Sequence, residues 1–188
     1  MKPGALLLFP GAGSDRDHSS LRALDDAVSP RLAVERADFP YRKAGKKAPD
    51  RPPVLLESVR TEAAALVARA HIRAGRLVLG GRSMGGRICS MAVADGLPAR
   101  GLVLLSYPLH PPGRPDRLRT EHLPNLDPPC LFIHGTRDPF GTPDEITEAA
   151  GSIPGAVTHV WIDGAGHDLR GADEQIVTEV TSWLAGLK

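Results

Sequence analysis

The stretch LVLGGRSMGGRI, residues 77–88, decides the fold. Leu77–Gly80 is an apolar run typical of a buried strand, and an apolar helical pattern follows Ser83. Gly81 and Gly85 flank the serine, and glycines let a strand and a helix approach closely while the backbone between them is strained. The stretch therefore predicts a strand, a sharp turn that carries Ser83, and a helix.

Similar apolar runs occur along the rest of the chain. Five of them are predicted to be strands: Ala5–Phe9, Ala33–Phe39, Gly101–Leu105, Leu131–Gly135 and Val157–Ile162. Most are nearly continuous in valine, leucine and isoleucine, which is typical of strands buried on both faces. Because helical patterns separate them, we expect a mostly parallel six-stranded sheet with helices on both faces and right-handed crossovers.

The helical patterns also predict where helices begin and end. Val54–Ala74 is amphipathic, and Gly75 is expected to stop it. Thr142 begins a capping box with proline at the first helical position. The last helix carries apolar residues from Ile176 onwards, and Asp173 is its predicted cap.

Polar residues follow two more of the predicted strands. Asp138 comes just after the fifth strand and His167 just after the sixth. The chain order Ser83, Asp138, His167 is that of the α/β-hydrolase catalytic triad, and open α/β sheets place their sites at such carboxyl strand ends. We therefore predict a three-layer α/β-hydrolase fold in which His167 takes the proton of Ser83 and Asp138 holds the imidazole.

An acyl-transfer site also needs two backbone donors for the oxyanion. We predict the N–H of Met84, the residue after the nucleophile, and that of Ala12 in the glycine-rich loop after the first strand. That loop could instead suggest a dinucleotide site. However, Arg16 stands where the pattern G-x-G-x-x-G needs its third glycine, so no cofactor is expected.

Each of the three catalytic candidates also has a structural interpretation. Ser83 could be a turn serine, Asp138 could cap a turn, and His167 could be satisfied by backbone groups. Their joint order and placement favour the catalytic interpretation. The rival residues are His134, read as structural or pocket-lining, and the acids Asp163 and Asp168, which adjoin His167 in sequence.

No metal site is predicted, because no sequence such as H-E-x-x-H is present. Asp15, Asp17 and His18 cluster after the first strand, and we interpret them as a polar loop and a helix start.

Two loops bear on the substrate. Residues Tyr41–Pro53 have a local net charge of +4, which indicates either a solvated loop or a rim that attracts an anionic substrate. The proline-rich loop Tyr107–Pro129 follows the fourth strand. The predicted pocket residues follow or adjoin the functional strand ends: Arg82, Tyr107, Leu109, His110, Phe140 and Leu169.

Composition narrows the class of protein. The 188 residues are 41% hydrophobic and 24% charged with a net charge of +1, as in an ordinary globular domain, and we expect residues 1–188 to form one domain. With 4% aromatic residues, a nucleic-acid partner is not expected. No apolar stretch is long enough to span a membrane. Two isolated cysteines, Cys89 and Cys130, favour a cytoplasmic location.

Four sequence stretches together resemble a known family. They are GRSMGGR (81–87), YPLHPPG (107–113), LRTEHLP (118–124) and HGTRDPFGT (134–142). They are similar to small, dienelactone-hydrolase-like α/β-hydrolases related to testis-expressed protein 30 and to subunit 3 of the non-specific-lethal chromatin complex. The resemblance runs from about Leu8 to Trp183. It implies a triad of Ser83, Asp138 and His167, and it implies that Tyr107–Pro129 is a family feature.

The sequence thus predicts a serine hydrolase without a cap domain, acting on a carboxylic ester or thioester of a small molecule through an acyl-enzyme. A binding or scaffold protein with an unused triad is the first alternative, because a fold does not fix a function. An acyltransferase or peptidase that uses the same three residues is the second. The sequence leaves the oligomeric state open.

Overall fold

The computed structural model describes all residues from Met1 to Lys188. Its six strands are β1 (Ala5–Phe9), β2 (Ala33–Arg36), β3 (Leu77–Arg82), β4 (Gly101–Leu105), β5 (Cys130–Gly135) and β6 (Val157–Ile162). They form one sheet in the order β2-β1-β3-β4-β5-β6, and every neighbouring pair is parallel. The predicted six-stranded sheet is confirmed.

Six helices connect the strands. They are α1 (Ser19–Val28), α2 (Pro40–Lys43), α3 (Pro52–Arg69), α4 (Met84–Ala94), α5 (Pro143–Ala150) and α6 (Asp173–Gly186). Helices α1 and α6 pack on one face of the sheet, and α3, α4 and α5 pack on the other. This three-layer arrangement confirms the predicted fold class. No part of the chain forms a cap over the carboxyl edge of the sheet.

Two hydrophobic cores, one on each face of the sheet, explain why most strands are continuous apolar runs in the sequence. Along β1, Leu6 and Leu8 face the core under α1 and α6, whereas Leu7 and Phe9 face the core under α3 and α4. All of these side chains are fully buried. A strand covered on both faces has no position at which a polar side chain would reach water.

The structure corrects the predicted ends of one helix and one strand. Helix α3 ends at Arg69, before Gly75, because His71 adopts a left-handed conformation (φ 51°) and the Ile72 N–H donates to the Val67 carbonyl. Strand β2 ends at Arg36 instead of Phe39, since it lies at the edge of the sheet and pairs only with β1.

The two predicted helix caps had different outcomes. The residue before α6 is Ala172, so Asp173 lies in the first turn instead of capping it. The capping box at Thr142 is confirmed: its side chain accepts from the Glu145 N–H, and the Glu145 carboxylate accepts from the Thr142 N–H.

Candidate active site

Ser83 occupies a strained turn between β3 and α4. Its backbone angles are φ 50° and ψ −119°, which lie outside the regions that residues with a side chain normally adopt. Its N–H donates to the Leu105 carbonyl at 2.7 Å, which fixes the turn against β4. The flanking glycines are required, since a Cβ at Gly81 or Gly85 would lie 2.1 Å or 2.3 Å from the Phe9 carbonyl oxygen.

Three side chains from three strand ends form a hydrogen-bonded chain. Ser83 Oγ lies 2.8 Å from His167 Nε2, and His167 Nδ1 lies 2.8 Å from Asp138 Oδ2. The Asp138 side chain is fully buried, whereas 19% of the His167 side chain is exposed. The geometry suits proton transfer from serine to imidazole, with the carboxylate fixing the tautomer.

The loop after β5 holds Asp138 in place. One carboxylate oxygen, Oδ1, accepts from the Phe140 N–H at 2.8 Å. The other, Oδ2, lies 3.2 Å from Nε2 of His134, which is also 2.9 Å from the Gly141 carbonyl oxygen. Burial lowers the pKa of His134, and the Nε2–H of the ring donates to the Gly141 carbonyl. The Phe140 ring stacks on His167 with centroids 4.0 Å apart.

The rival residues have other partners. Asp163 accepts from the Thr136 hydroxyl, and Asp168 accepts from the Arg170 N–H within its own turn. Both are exposed. His134 contacts Asp138, but it is fully buried and its Nε2 bonds to the Gly141 carbonyl, so it acts as a structural histidine.

The polar cluster after β1 starts a helix, as interpreted from the sequence. His18 caps α1, since its Nδ1 accepts from the Ser20 N–H. Asp15 pairs with Arg42 at 3.6 Å, and Asp17 pairs with Arg36 at 2.8 Å.

The two predicted oxyanion donors lie beside Ser83. Met84 is the first residue of α4, so its N–H has no carbonyl one turn earlier in the helix. The Ala12 N–H makes no hydrogen bond within the protein. The Tyr41 hydroxyl donates to the Ala12 carbonyl at 2.8 Å and thereby ties the loop after β1 to α2.

A cavity of about 400 Å³ opens over Ser83. It is lined by Gly11, Ala12, Gly13, Arg82, Ser83, Met84, Arg87, Pro108, Arg119, Phe140 and His167. This volume is in the range of small-molecule sites. Three of the lining residues are arginines, and no carboxylate lines the cavity.

At the level of sequence, residues 2–185 match the model of a family described as an alpha/beta hydrolase domain. The chain belongs to the α/β-hydrolase family.

Solved structures of similar fold agree with this assignment. Dienelactone hydrolase from Anabaena variabilis superposes with a TM-score of 0.79 at 20% identity, covering 99% of this chain and 87% of that one. Est1E from Butyrivibrio proteoclasticus superposes with a TM-score of 0.79 at 14% identity, covering 99% of this chain and 88% of that one. A putative hydrolase of the alpha/beta superfamily from Xanthomonas campestris pv. campestris superposes with a TM-score of 0.74 at 21% identity, covering 98% of this chain and 99% of that one.

Of the six predicted pocket residues, this α/β-hydrolase brings Arg82 and Phe140 to the cavity and buries the other four. Tyr107 points into the core, where its hydroxyl donates to the Arg119 carbonyl at 2.6 Å. Leu109 packs in the same core, and Leu169 packs in the opposite one. His110 lies 3.5 Å from Glu145. The sequence placed them near strand ends, but packing turned their side chains inward.

Five lining residues were not predicted from the sequence, and two of them, Gly11 and Gly13, flank the predicted donor Ala12. Arg87 is four residues after Ser83 on the same helix, so helical periodicity could have placed it on the same side. Pro108 and Arg119 lie in the loop Tyr107–Pro129, and nothing in their local sequence marks them as cavity residues.

Arg82 braces the histidine loop. Its Nη2 donates to the His167 carbonyl at 3.0 Å, and a Cβ added at Gly11 would lie 3.3 Å from its Nη1. It therefore spans from the loop after β1 to the loop that carries His167. Burial lowers the pKa of Arg82, although the Asp168 and Asp138 charges oppose this.

Other polar features of this α/β-hydrolase lie away from the cavity. Of the cations in Tyr41–Pro53, Arg42 and Lys43 pair with acids, and none lines the cavity. This favours the solvated-loop interpretation. Cys89 and Cys130 are both free and buried, and burial raises the pKa of Cys130 to about 12.

No group of three or more histidine, cysteine or acidic side chains is arranged to hold a metal ion. None of the helices combines the length and the apolar composition that spanning a membrane requires.

Proposed function

We propose that this α/β-hydrolase cleaves a small carboxylic ester or thioester through an acyl-enzyme on Ser83. The observation that carries the proposal is the pair of 2.8 Å contacts from Ser83 Oγ to His167 Nε2 and from His167 Nδ1 to Asp138 Oδ2. Dienelactone hydrolase and an esterase from Thermogutta terrifontis share the fold, which is consistent with ester chemistry.

Acylation follows from the positions of these groups. Ser83 Oγ attacks the carbonyl carbon while its proton passes to His167 Nε2, and the carbonyl oxygen becomes an oxyanion. The N–H groups of Met84 and Ala12 donate to that oxyanion, and the N-terminus of α4 adds a favourable dipole. When the tetrahedral intermediate collapses, the alcohol or thiol leaves with the proton from His167.

Deacylation follows the same steps, with water as the nucleophile in place of Ser83. His167 takes a proton from a water molecule, whose oxygen attacks the acyl carbon, and the Ser83 Oγ–acyl bond breaks as the proton returns to Ser83. Asp138 stabilises the imidazolium in both steps.

A fluorophosphonate probe tests the assembled site. It should label the wild-type protein at Ser83 and should not label Ser83→Ala, because the reagent needs both a base in reach and an oxyanion hole. Ser106→Ala is the matched control. Ser106 also follows a strand with a positive φ of 49°, but its buried hydroxyl has no hydrogen-bond partner. Labelling should persist in that variant.

Turnover of p-nitrophenyl acetate tests the chemistry. Ser83→Ala should lose roughly 10⁴–10⁶-fold in kcat. Asp138→Asn should lose roughly 10⁴-fold while the fold remains, since the imidazole loses its tautomer control. A folded wild-type protein that is neither labelled nor active would favour the scaffold function. Labelling at another serine would overturn the assignment.

The distinction from an acyltransferase or peptidase needs competing acceptors. A hydrolase should release free acid at the same rate when alcohols, thiols or amines are added, whereas an acyltransferase should divert the acyl group to one of them. The grouping with testis-expressed protein 30, the single-domain organisation of residues 1–188 and a cytoplasmic location stay predictions.

A further inference from the structure

The cavity over Ser83 carries unbalanced positive charge. Arg82, Arg87 and Arg119 line it together, and no aspartate or glutamate does. None of the three forms an ion pair in the structure. Buried or half-buried arginines are normally paired, because an unpaired charge removed from water is costly.

Arg87 and Arg119 form one wall of the cavity. The Arg87 N–H donates to the Ser83 carbonyl at 3.1 Å, which places Arg87 one helical turn after the nucleophile. Its Nε is buried without a hydrogen-bond partner. Arg119 comes from the loop Tyr107–Pro129, and its Nη1 donates to the Pro108 carbonyl at 3.2 Å. Apart from the Tyr107 hydroxyl, which lies near the Arg87 side chain, no side chain accepts a hydrogen bond from either guanidinium group.

The two charges are close enough to repel each other. Burial lowers the pKa of Arg119, and the Arg87 charge lowers it further. Glu121, on the same loop, is exposed and pairs with neither arginine. An anion between them would supply the missing counter-charge, and the planar guanidinium group is suited to carboxylate and phosphate oxygens.

We propose that the substrate carries an anionic group, a carboxylate or a phosphate, in addition to its ester or thioester, and that Arg87 and Arg119 bind it. This inference rests on the proposed hydrolase function and names the substrate class. Arg82 has a different role, because its donation to the His167 carbonyl makes it a positioning residue. The cavity has only a few apolar residues, so it offers no long channel for a lipid chain.

Two matched pairs of esters test the proposal. p-Nitrophenyl hydrogen adipate and p-nitrophenyl hexanoate differ by a charge at the end of the acyl group. 4-Carboxyphenyl acetate and its methyl ester differ by a charge on the leaving group. Each kcat/KM is divided by the hydroxide-catalysed rate of the same ester to remove differences in reactivity. The wild-type enzyme should prefer the anionic member of at least one pair by about tenfold or more.

The variants Arg87→Gln and Arg119→Gln should reduce that preference towards one. Arg117→Gln is the matched control, because Arg117 is an exposed arginine of the same loop and does not line the cavity. It removes the same net charge and should keep the full preference. Competitive inhibition by adipate and by inorganic phosphate then identifies the anion, since the stronger inhibitor has the preferred headgroup.

The results separate this inference from the proposed function. A protein that the fluorophosphonate does not label fails as a hydrolase. A protein that is labelled and cleaves the neutral esters, but shows no preference in either pair, overturns the anionic substrate. A preference that survives both Arg87→Gln and Arg119→Gln overturns the assignment to this wall.

Discussion

His134 Nε2 lies 3.2 Å from Asp138 Oδ2, the same carboxylate oxygen that lies 2.8 Å from His167 Nδ1. Both rings therefore orient one buried carboxylate, His134 from the protein interior and His167 from the cavity. Burial lowers the pKa of His134, and its Nε2–H donates to the Gly141 carbonyl, which holds the ring against the carboxylate.

Replacing His134 should weaken this orientation. We expect His134→Leu to lower kcat for p-nitrophenyl acetate about tenfold, since it removes the hydrogen bond to the Gly141 carbonyl and the contact with the Asp138 carboxylate. His134→Gln, which keeps a donor near the Nε2 position, should recover much of the loss. Steady-state kinetics measure the effect, and circular dichroism checks the fold. Equal kcat in the wild type and His134→Leu would contradict a positioning role.

The Tyr41 hydroxyl should affect activity through the loop after β1, which carries Ala12. Tyr41→Phe removes the hydrogen bond to the Ala12 carbonyl, and we expect kcat to fall roughly threefold to tenfold with little change in KM. Tyr107→Phe provides the contrast, because its hydroxyl contacts the Arg119 carbonyl. That variant should instead lower the preference for anionic esters. If both variants behave alike, the loop assignment is wrong.

Gly85 should tolerate no side chain. A Cβ there would lie 2.3 Å from the Phe9 carbonyl oxygen and 2.6 Å from the Pro10 carbonyl oxygen, and both are backbone atoms that cannot move aside easily. We expect Gly85→Ala to lower the free energy of unfolding by about 3 kcal/mol or more. At Gly166, beside His167, a Cβ meets nothing within 4 Å. Gly166→Ala should change stability by less than about 0.5 kcal/mol. Urea unfolding measures both.

Strain at Ser83 should appear as a difference between two inactive variants. Glycine adopts a φ of 50° without a steric penalty, whereas alanine does not. We expect Ser83→Gly to be about 1 kcal/mol more stable than Ser83→Ala in thermal or urea unfolding. At Ser58, inside α3, the order should reverse, because glycine disfavours a helix. The same order at both positions would argue against strain at the turn.

Stability should depend on pH through His122. Burial lowers its pKa from 6.5 to about 4, and the Arg87 charge acts in the same direction. The unfolded chain therefore binds a proton more readily than the folded one, so stability is complete above pH 6.5 and falls as the pH drops towards 4. The expected loss is about 2 kcal/mol, allowing for solvent screening of the ring.

Urea unfolding across this pH range checks the prediction. His122→Gln should flatten the dependence, since glutamine can still bond to the Ser90 hydroxyl, which lies 2.7 Å from His122 Nε2. His18, His134 and His159 also have lowered pKa values and should leave a residual slope. An unchanged slope in His122→Gln would assign the effect to those three.

The sequence by itself determined the sheet and the place of the candidate site. Strands buried on both faces need continuous apolar runs, and those runs stand out locally in the sequence. Ser83 follows its strand directly, and Asp138 and His167 lie in the short loops after β5 and β6, so a parallel sheet brings all three to one edge. The glycines around Ser83 are also a local signal, because the close approach to Phe9 excludes every larger residue.

Only the tertiary structure decided what lines the cavity. Tyr107, Leu109, His110 and Leu169 also lie near strand ends, but the loops fold back and bury their side chains. Arg119 reaches the cavity because its loop is anchored on Leu109 and Tyr107 by hydrogen bonds between distant residues. Such placements result from long-range packing, which no short stretch of sequence records.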